Sequence, residues 1–303
     1  MRGASRDGDG RRRLPTHLRR RFRAGGRARE VEDLLEKLDL HTVCHGAHCP
    51  NRNECFASGT ATFLILGDAC TRRCRFCAIP TTTAPSPIDW REPERIAAAV
   101  RALGLRYAVI TSVTRDDLPL GGADLFAACI RRLHGEIPPP KVEVLTPDFK
   151  GNRQALETVL NARPEVFSHN VETAPDLYPD VRPEANYARS LGVLRLAAGH
   201  SPPLLTKSGL MVGLGETETQ VLGVMEDLRK VGCEILTIGQ YLAPSPAHYP
   251  VVRYIEPERF DWYRREALRR GFRHVASGPF VRSSYQADAA LSAIGSARDA
   301  PEP

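Results

Sequence analysis

No stretch of the 303-residue chain approaches the roughly 18 consecutive apolar residues that a membrane-spanning helix needs, so a helical membrane protein is not expected. The N-terminal segment also lacks the apolar core of a secretory signal. An Arg-rich transit peptide fits poorly, because Asp7 and Asp9 sit early and Ser is sparse. Aromatic residues make up 7% of the chain and form no evident stacking platform for nucleic acid. Acidic residues are scarce in one place only: residues 1 to 30 hold eleven Arg against three acids, whereas the rest carries 31 bases and 33 acids. The net charge of +6 therefore belongs to an arm, and the slightly acidic body argues against a nucleic-acid-binding protein. With 42% hydrophobic and 26% charged residues, the remainder has the composition of an ordinary globular protein.

Cysteine is clustered. Six of the eight Cys fall in CHGAHCPNRNECFASGTATFLILGDACTRRCRFC, residues 44–77, as two groups of three, each one thiol short of a four-cysteine metal site. In a reducing cytoplasm, the expected home, such clusters bind metal or do chemistry rather than form disulfides. The downstream group, Cys70, Cys74 and Cys77, has Cys-x3-Cys-x2-Cys spacing, unlike the Cys-x2-Cys-x2-Cys run of electron-transfer ferredoxins. Three thiolates for the four irons of a 4Fe-4S cluster leave one iron for another ligand, which points to a cluster that binds substrate. A zinc site built from Cys74, Cys77 and two outside ligands is the alternative, but it leaves Cys70 without a duty. The upstream group, Cys44, Cys49 and Cys55, is open on spacing alone: a zinc loop completed by His45 or His48 stands beside an iron-sulfur site. Cys129 and Cys233 lie in apolar helical context and read as core.

Along the chain, REVEDLLEKLDLHTVC places Val31, Leu34, Leu35 and Leu38 at helical spacing, with the first trio expected in a loop outside the main fold. Six apolar runs follow, at 60–67, 107–113, 141–147, 166–172, 205–213 and 234–242. They alternate with helical patterns near 92–103, 122–134, 151–161, 186–199 and 217–231. That alternation predicts an α/β fold of parallel strands joined by right-handed crossovers, either an open sheet or a barrel two units short of eightfold. In both, working residues gather at the carboxyl ends of strands. The second trio follows the first run. Thr111, Ser112, Arg115, Asp116 and Asp117 follow the second, His169, Asn170 and Glu172 lie on the fourth, and Lys207 and Ser208 lie on the fifth.

Cys70, Cys74 and Cys77, with Phe76 next to the last, resemble the signature of the radical S-adenosylmethionine superfamily, whose cluster chelates the methionyl amine and carboxylate at its open iron. A longer match, CPNRNECFASGTATFLILGDACTRRCRFCAI, resembles the lipoyl synthase family. It continues through TSVTRDDLPLGGA (111–123), HNVETAPDLYPDVRP (169–183), KSGLMVGLGET (207–217), TIGQYLAPSPAHYPVVRY (237–254) and GPFVRSSYQA (278–287). The resemblance covers roughly residues 30 to 287 and implies a partial (β/α)6 TIM-type barrel. It also implies insertion of two sulfur atoms, at C6 and C8 of an octanoyl chain on a lysine of a lipoyl carrier domain.

In that picture S-adenosylmethionine and two 4Fe-4S clusters take part. Cys70, Cys74 and Cys77 hold the first cluster. Cys44, Cys49, Cys55 and a serine of the RSSY motif hold a sacrificial auxiliary one that faces it across the barrel mouth; Ser284 is the expected ligand and Ser283 the fallback. Phe76, Asn170, Glu172 and Lys207 are candidate cofactor contacts, the last three for its polar groups, and Arg115, Asp116 and Asp117 are candidates to orient the carrier or close the mouth. Implied partners are octanoylated carrier domains (2-oxoacid dehydrogenase E2 subunits and glycine cleavage H protein), an electron donor such as ferredoxin or flavodoxin, and an iron-sulfur carrier; no membrane and no nucleic acid are expected. The expected division is a basic flexible arm at 1–29, an N-terminal extension at 30–59, the barrel at 60–275, and a C-terminal extension with a flexible tail at 276–303. The chain departs from the family at His45 to His48, where relatives often carry acids, at Leu120 in place of Asp, and at Ser208 in place of Thr. Another sulfur-inserting radical enzyme and a zinc-bearing nucleic-acid binder are the rival readings.

Overall fold

The six apolar runs form strands, and their faces divide the chain's burial in two. A computed structural model describes residues 14–19, 26–46, 49, 51, 54–55, 62–285 and 287–298. The strands are β1 (His41–Thr42), β2 (Thr62–Ile65), β3 (Tyr107–Ser112), β4 (Lys141–Leu145), β5 (Val166–Ser168), β6 (Leu205–Val212), β7 (Ile235–Gln240) and β8 (His274–Gly278). They make one sheet in strictly sequential order, with β2 to β8 parallel and β1 antiparallel to β2. Sequential parallel order with a helix after each strand is the wall of a TIM-type barrel. Here that wall is partial, since β1 and β8 stand at its two ends.

Side chains alternate across each strand. Ile110, Val142, Val144 and Phe167 pack outward with Ile96, Phe126 and Val159 of the helices, and Leu210, Val212, Leu236 and Ile238 pack outward with Val224, Met225 and Phe260. Each such buried apolar side chain contributes about 1.5–3 kcal/mol. Inward lie Lys207 and Gly209 on β6 and Gly239 on β7, the faces that position the site. The crossover helices are Glu92–Leu103, Ala123–His134, Arg153–Asn161, Tyr187–Ala198 and Glu218–Lys230, within two residues of the expected bounds. Their ends follow local chemistry. Thr217 and Gln220 form a reciprocal capping box, Asn152 and Asn186 accept backbone N–H bonds at their helix starts, and Gly104 ends its helix in the left-handed region.

Four features differ from the expectation. β1 adds an edge strand, so Cys44, on the short helix Val43–Gly46 that follows it, belongs to the sheet margin rather than to a detached loop. The fourth run stops as a strand at Ser168, because Glu172 takes a left-handed backbone (φ 66°) and meets β6 only by an isolated bridge to Leu210. A final strand, β8, follows the helix Pro257–Arg269. The helix Ala287–Arg298 extends the C-terminal segment beyond the RSSY motif, and its Ala290 and Ile294 pack on Val166 and Ile235 at the amino ends of β5 and β7, while residues 299–303 of the expected tail lie outside the described residues. Among the described residues no helix is long and apolar enough to cross a membrane. Most of the basic arm, residues 1–13 and 20–25, lies outside the described residues.

Candidate active site

Beyond β2 the chain turns through Leu66 and Gly67, both at positive φ, into the loop bearing Cys70, Cys74 and Cys77. Backbone bonds hold the loop from several sides. Cys70 donates to the Pro80 carbonyl (2.8 Å), Thr71 to Thr114 (3.0 Å), Arg75 to Val181 (2.9 Å), and Tyr249 to the Arg75 carbonyl (2.8 Å). The Cys70 sulfur accepts from the N–H groups of Arg72 (3.4 Å) and Thr114 (3.3 Å). His248, from the PSPAHYP stretch, donates Nε2–H to the Cys77 carbonyl (3.1 Å), while its Nδ1 accepts from Ser245 (2.8 Å).

Arg72, inside the cysteine motif, is the main clamp. Its side chain is 4% exposed; Nε meets Asp116 (2.7 Å) and Nη2 meets Asp148 (2.6 Å), and Asp148 also accepts from Arg189 (2.6 Å). Burial alone would raise the Asp148 carboxyl, but the Arg72 and Arg189 guanidinium groups hold it well below the usual carboxylate range. Removing one partner of a buried pair leaves an uncompensated charge, so Arg72→Met is expected to cost about 3–5 kcal/mol. Comparing denaturation midpoints of the variant and the parent checks it. Asp116 is therefore occupied internally, and so is Arg115, buried and paired with Asp117 (2.8 Å).

Opposite the loop lie Asn170, Glu172 and Arg182. Asn170 Nδ2 donates to Glu172 Oε1 (3.0 Å) and to Ser283 Oγ (2.6 Å). Arg182, 5.1 Å from the Tyr178 ring centroid, donates Nη1 to the carbonyls of Asn170 (3.0 Å) and Val171 (3.1 Å). Burial raises the Glu172 carboxyl, an effect that Arg182 opposes. Phe76 packs with Val181, Leu214 and Tyr241 beside the loop. Lys207 goes elsewhere: its Nζ is bonded to Glu143 (2.8 Å), which also accepts from Tyr107 (2.7 Å), inside the barrel. His169 is structural, with its ring nitrogens bonded to the Thr146 carbonyl (2.9 Å) and the Ser190 hydroxyl (3.0 Å). Burial pushes its imidazole down to about 4, whereas an unfolded His takes a proton near 6.5. The unfolded chain thus binds more protons between those values. Stability is expected to fall as pH drops through that window, by about 1.4 kcal/mol per unit, and His169→Gln should flatten the dependence in denaturation at pH 7 and pH 4.5.

The other trio meets the C-terminal segment. Cys44, Cys49, Cys55 and Ser284 line one small cavity with Asn51, Thr62, Arg282 and Tyr285. Asn51 donates to the Phe280 carbonyl (2.7 Å) and Tyr285 to Glu54 (2.9 Å), which stitches the two ends of the sheet together. Because Thr62 opens β2 and Arg282 to Tyr285 follow β8, this cavity lies at the barrel's seam, beside the amino end of β2. Ser284 lines it, whereas the hydroxyl of Ser283 is engaged by Asn170. His45 lines a separate cleft with Glu36, His41 and Ile79, and Ala47 and His48 lie outside the described residues. Cys129 and Cys233 are buried in the two cores, as read from sequence.

Each trio supplies three thiols in one region of the fold. Among the described residues, no three Cys, His, Asp or Glu side chains converge to hold one metal ion. A 4Fe-4S cluster instead takes each thiolate on a different iron, so its ligands surround a core. Burial pushes the Cys74 thiol up to about 12, with Arg182 opposing, the Cys77 thiol up to about 11, and the Cys44 thiol up to about 11 with help from Cys49. Thiolates in such places need a compensating cationic centre, and metal binding supplies one. Arg182 and Glu172 are within electrostatic reach of Cys74, and Asn170 Oδ1 and Arg182 Nε are buried with no hydrogen-bond partner among the described residues, which leaves both open to a polar ligand. Arg72, Arg182 and His248 carry no signal of their own in the sequence, although all three lie within the quoted family stretches.

Known proteins place the chain in a family. Residues 64–228 match the Radical SAM superfamily. A lipoyl synthase of Rubrobacter xylanophilus is 54% identical over 291 residues, covering 94% of this chain and 90% of that protein. One from Caldanaerobacter subterraneus subsp. tengcongensis is 55% identical over 262 residues, covering 86% and 92%. Among solved structures, Streptococcus suis SuiB bound to precursor peptide SuiA superposes with a TM-score of 0.55 at 12% identity, over 82% of this chain and 52% of that one, a likeness of fold alone. Identity above one half across nearly the full length of the relatives shows that the chain belongs to the lipoyl synthase family of the radical S-adenosylmethionine superfamily.

Proposed function

We propose that this sulfur-inserting radical enzyme acts on an octanoyl chain in amide linkage to a lysine of a lipoyl carrier domain, placing sulfur at C6 and C8. The superfamily implies one 4Fe-4S cluster and S-adenosylmethionine. The observation that carries the fuller reading is the meeting of Cys44, Cys49, Cys55 and Ser284 in one cavity, apart from the Cys70 to Cys77 loop. When bound, the groups would supply reductive cleavage of S-adenosylmethionine to a 5′-deoxyadenosyl radical and, from the second cluster, sulfide.

The chain's own work is binding and orientation. Cys70, Cys74 and Cys77 would hold the cluster of the radical site, and Asn170, Glu172 and Arg182 would meet the polar groups of the cofactor. Phe76 packs against the loop, and Arg72 keeps the loop in register. Cys44, Cys49 and Cys55 hold the auxiliary cluster with Ser284, whose oxygen is a harder donor than thiolate and grips iron less firmly, as a cluster that is consumed requires. Lys207, paired with Glu143, shapes the interior instead of meeting the cofactor.

The partners we infer are E2 subunits and glycine cleavage H protein as carriers, ferredoxin or flavodoxin as electron donor, and an iron-sulfur carrier for repair, all in the cytoplasm. Residues 1–29 act as a docking arm for acidic carriers, 30–59 and 276–303 as the extensions that bear the second cluster, and 60–275 as the barrel. Trimming residues 1–29 is expected to slow reaction on the full carrier and weaken its salt dependence, while reaction on a short octanoyl-lysine peptide stays the same.

The deciding experiment is anaerobic purification followed by assay on an octanoylated carrier peptide. About eight irons per chain with acid-labile sulfide, and product heavier by two sulfurs, supports the reading; stoichiometric zinc without sulfide, or an untouched peptide, sinks it. Gly239 offers a second check. A Cβ there would strike the Val281 carbonyl oxygen, so Gly239→Ala is expected to displace Arg282 to Ser284 and lose about four of the eight irons.

A further inference from the structure

We propose that Ser283 is a positioning residue through which cofactor bound at the Cys70 to Cys77 site strengthens the hold of Ser284 on the auxiliary cluster. This rests on the two-cluster reading above. The Ser283 hydroxyl lies 2.6 Å from Asn170 Nδ2, and the same amide nitrogen lies 3.0 Å from Glu172 Oε1. The amide's other end, Oδ1, is buried without a partner among the described residues. A carboxamide is planar, so a donor that fixes Oδ1 also fixes where Nδ2 points.

The surroundings leave Ser283 little freedom. A Cβ on Gly209 would stand 2.9 Å from Ser283 Oγ and 2.7 Å from Asn170 Oδ1. The peptide after Val281 lies closer still to Gly239, where a Cβ would stand 2.1 Å from the Val281 carbonyl oxygen. β6 and β7 have thus cleared a track in which residues 281–283 run across the inner wall, and Ser284, one Cα step of about 3.8 Å further on, lines the cavity of the other trio. A polar ligand on Asn170 orients the amide, the amide fixes the Ser283 hydroxyl, and the adjoining residue holds its place at the second cavity. The auxiliary cluster is then guarded until cofactor leaves or is consumed. Coupling of this kind is reciprocal: the loaded auxiliary site must raise cofactor affinity by the same factor.

The test uses the anaerobic, cluster-loaded full chain with no reductant and no carrier, so that nothing turns over. A ferrous chelator draws iron from the exposed cluster, and the rate is followed optically with and without S-adenosylmethionine. In the parent, cofactor is expected to slow release of the auxiliary half of the iron by about fivefold or more. Ser283→Ala, loaded to the same iron content, should release at one rate with or without cofactor. Equal protection in both proteins, or none in the parent, overturns the proposal. If Ser283→Ala does not load, the Cys44→Ala, Cys49→Ala, Cys55→Ala protein decides: its cofactor affinity, by equilibrium dialysis, should be weaker than the parent's, and equal affinity overturns the proposal. Failure of the two-cluster reading shows separately, as a parent that never carries more than about four irons.

Discussion

Replacing Cys44, Cys49 and Cys55 together by Ala is expected to halve the iron, from about eight to about four per chain, and to abolish sulfur insertion while reductive cleavage of S-adenosylmethionine continues. The separation of effects follows from geometry. The three thiols and Ser284 line a cavity at the seam between the β1–β2 end of the sheet and the segment after β8, whereas the Cys70 loop is fixed by Thr114, Val181, Tyr249 and the Arg72 ion pairs, none of which the substitution touches. A radical formed without its sulfur source should still take hydrogen from the octanoyl chain, so 5′-deoxyadenosine accumulates without lipoyl product. Iron and sulfide analysis, with chromatography of the nucleoside and mass spectrometry of the carrier peptide, reads all three quantities. Loss of cleavage together with insertion would show that the two sites do not work apart.

Cys74→Ala is expected to do the reverse and more: cofactor cleavage falls to background, insertion ceases, and the iron that remains belongs to the auxiliary site. Cys74 has the deepest burden of its trio, its thiol raised to about 12 by burial while Arg182 pulls it down. With the thiol gone, the buried Arg182 and Glu172 keep their bonds to Asn170 and to the backbone, but one iron loses its protein ligand. The change is therefore chemical rather than structural. The variant should unfold close to the parent when both are stripped of iron, while electron paramagnetic resonance of the reduced protein shows no signal that responds to S-adenosylmethionine. A cofactor-responsive signal in Cys74→Ala would remove Cys74 from the ligand set.

Much of this arrangement was legible before any coordinates. The six apolar runs and five helical patterns are long and periodic, so their existence follows from burial on one face, and residues such as Thr217 and Gln220 mark a helix start by local hydrogen bonding alone. What stayed hidden depends on partners far along the chain. β1 is two residues long and exists only because β2 pairs with it. β8 has a single fully apolar anchor in Val275 and takes its register from β7. Arg72 reads as a solvated loop residue until Asp148, 76 positions later, is brought beneath it. Lys207 was grouped with strand-end residues, yet it is the third residue of β6, near the strand's start, and so its ammonium reaches Glu143 within the barrel. Ser283 and Ser284 are adjacent and chemically alike; only the track past Gly209 and Gly239 separates the one engaged by Asn170 from the one at the cavity.

The seam also sets an order of assembly. Cys70, Cys74 and Cys77 span eight residues, and the partners that fix their loop reach as far along the chain as Tyr249. The other cavity needs Cys44 and Ser284 side by side, and so nearly the whole chain must leave the ribosome before its fourth ligand exists. On the two-cluster reading, a chain that stops short of residue 284 lacks the serine lining this cavity and is expected to hold no complete auxiliary site.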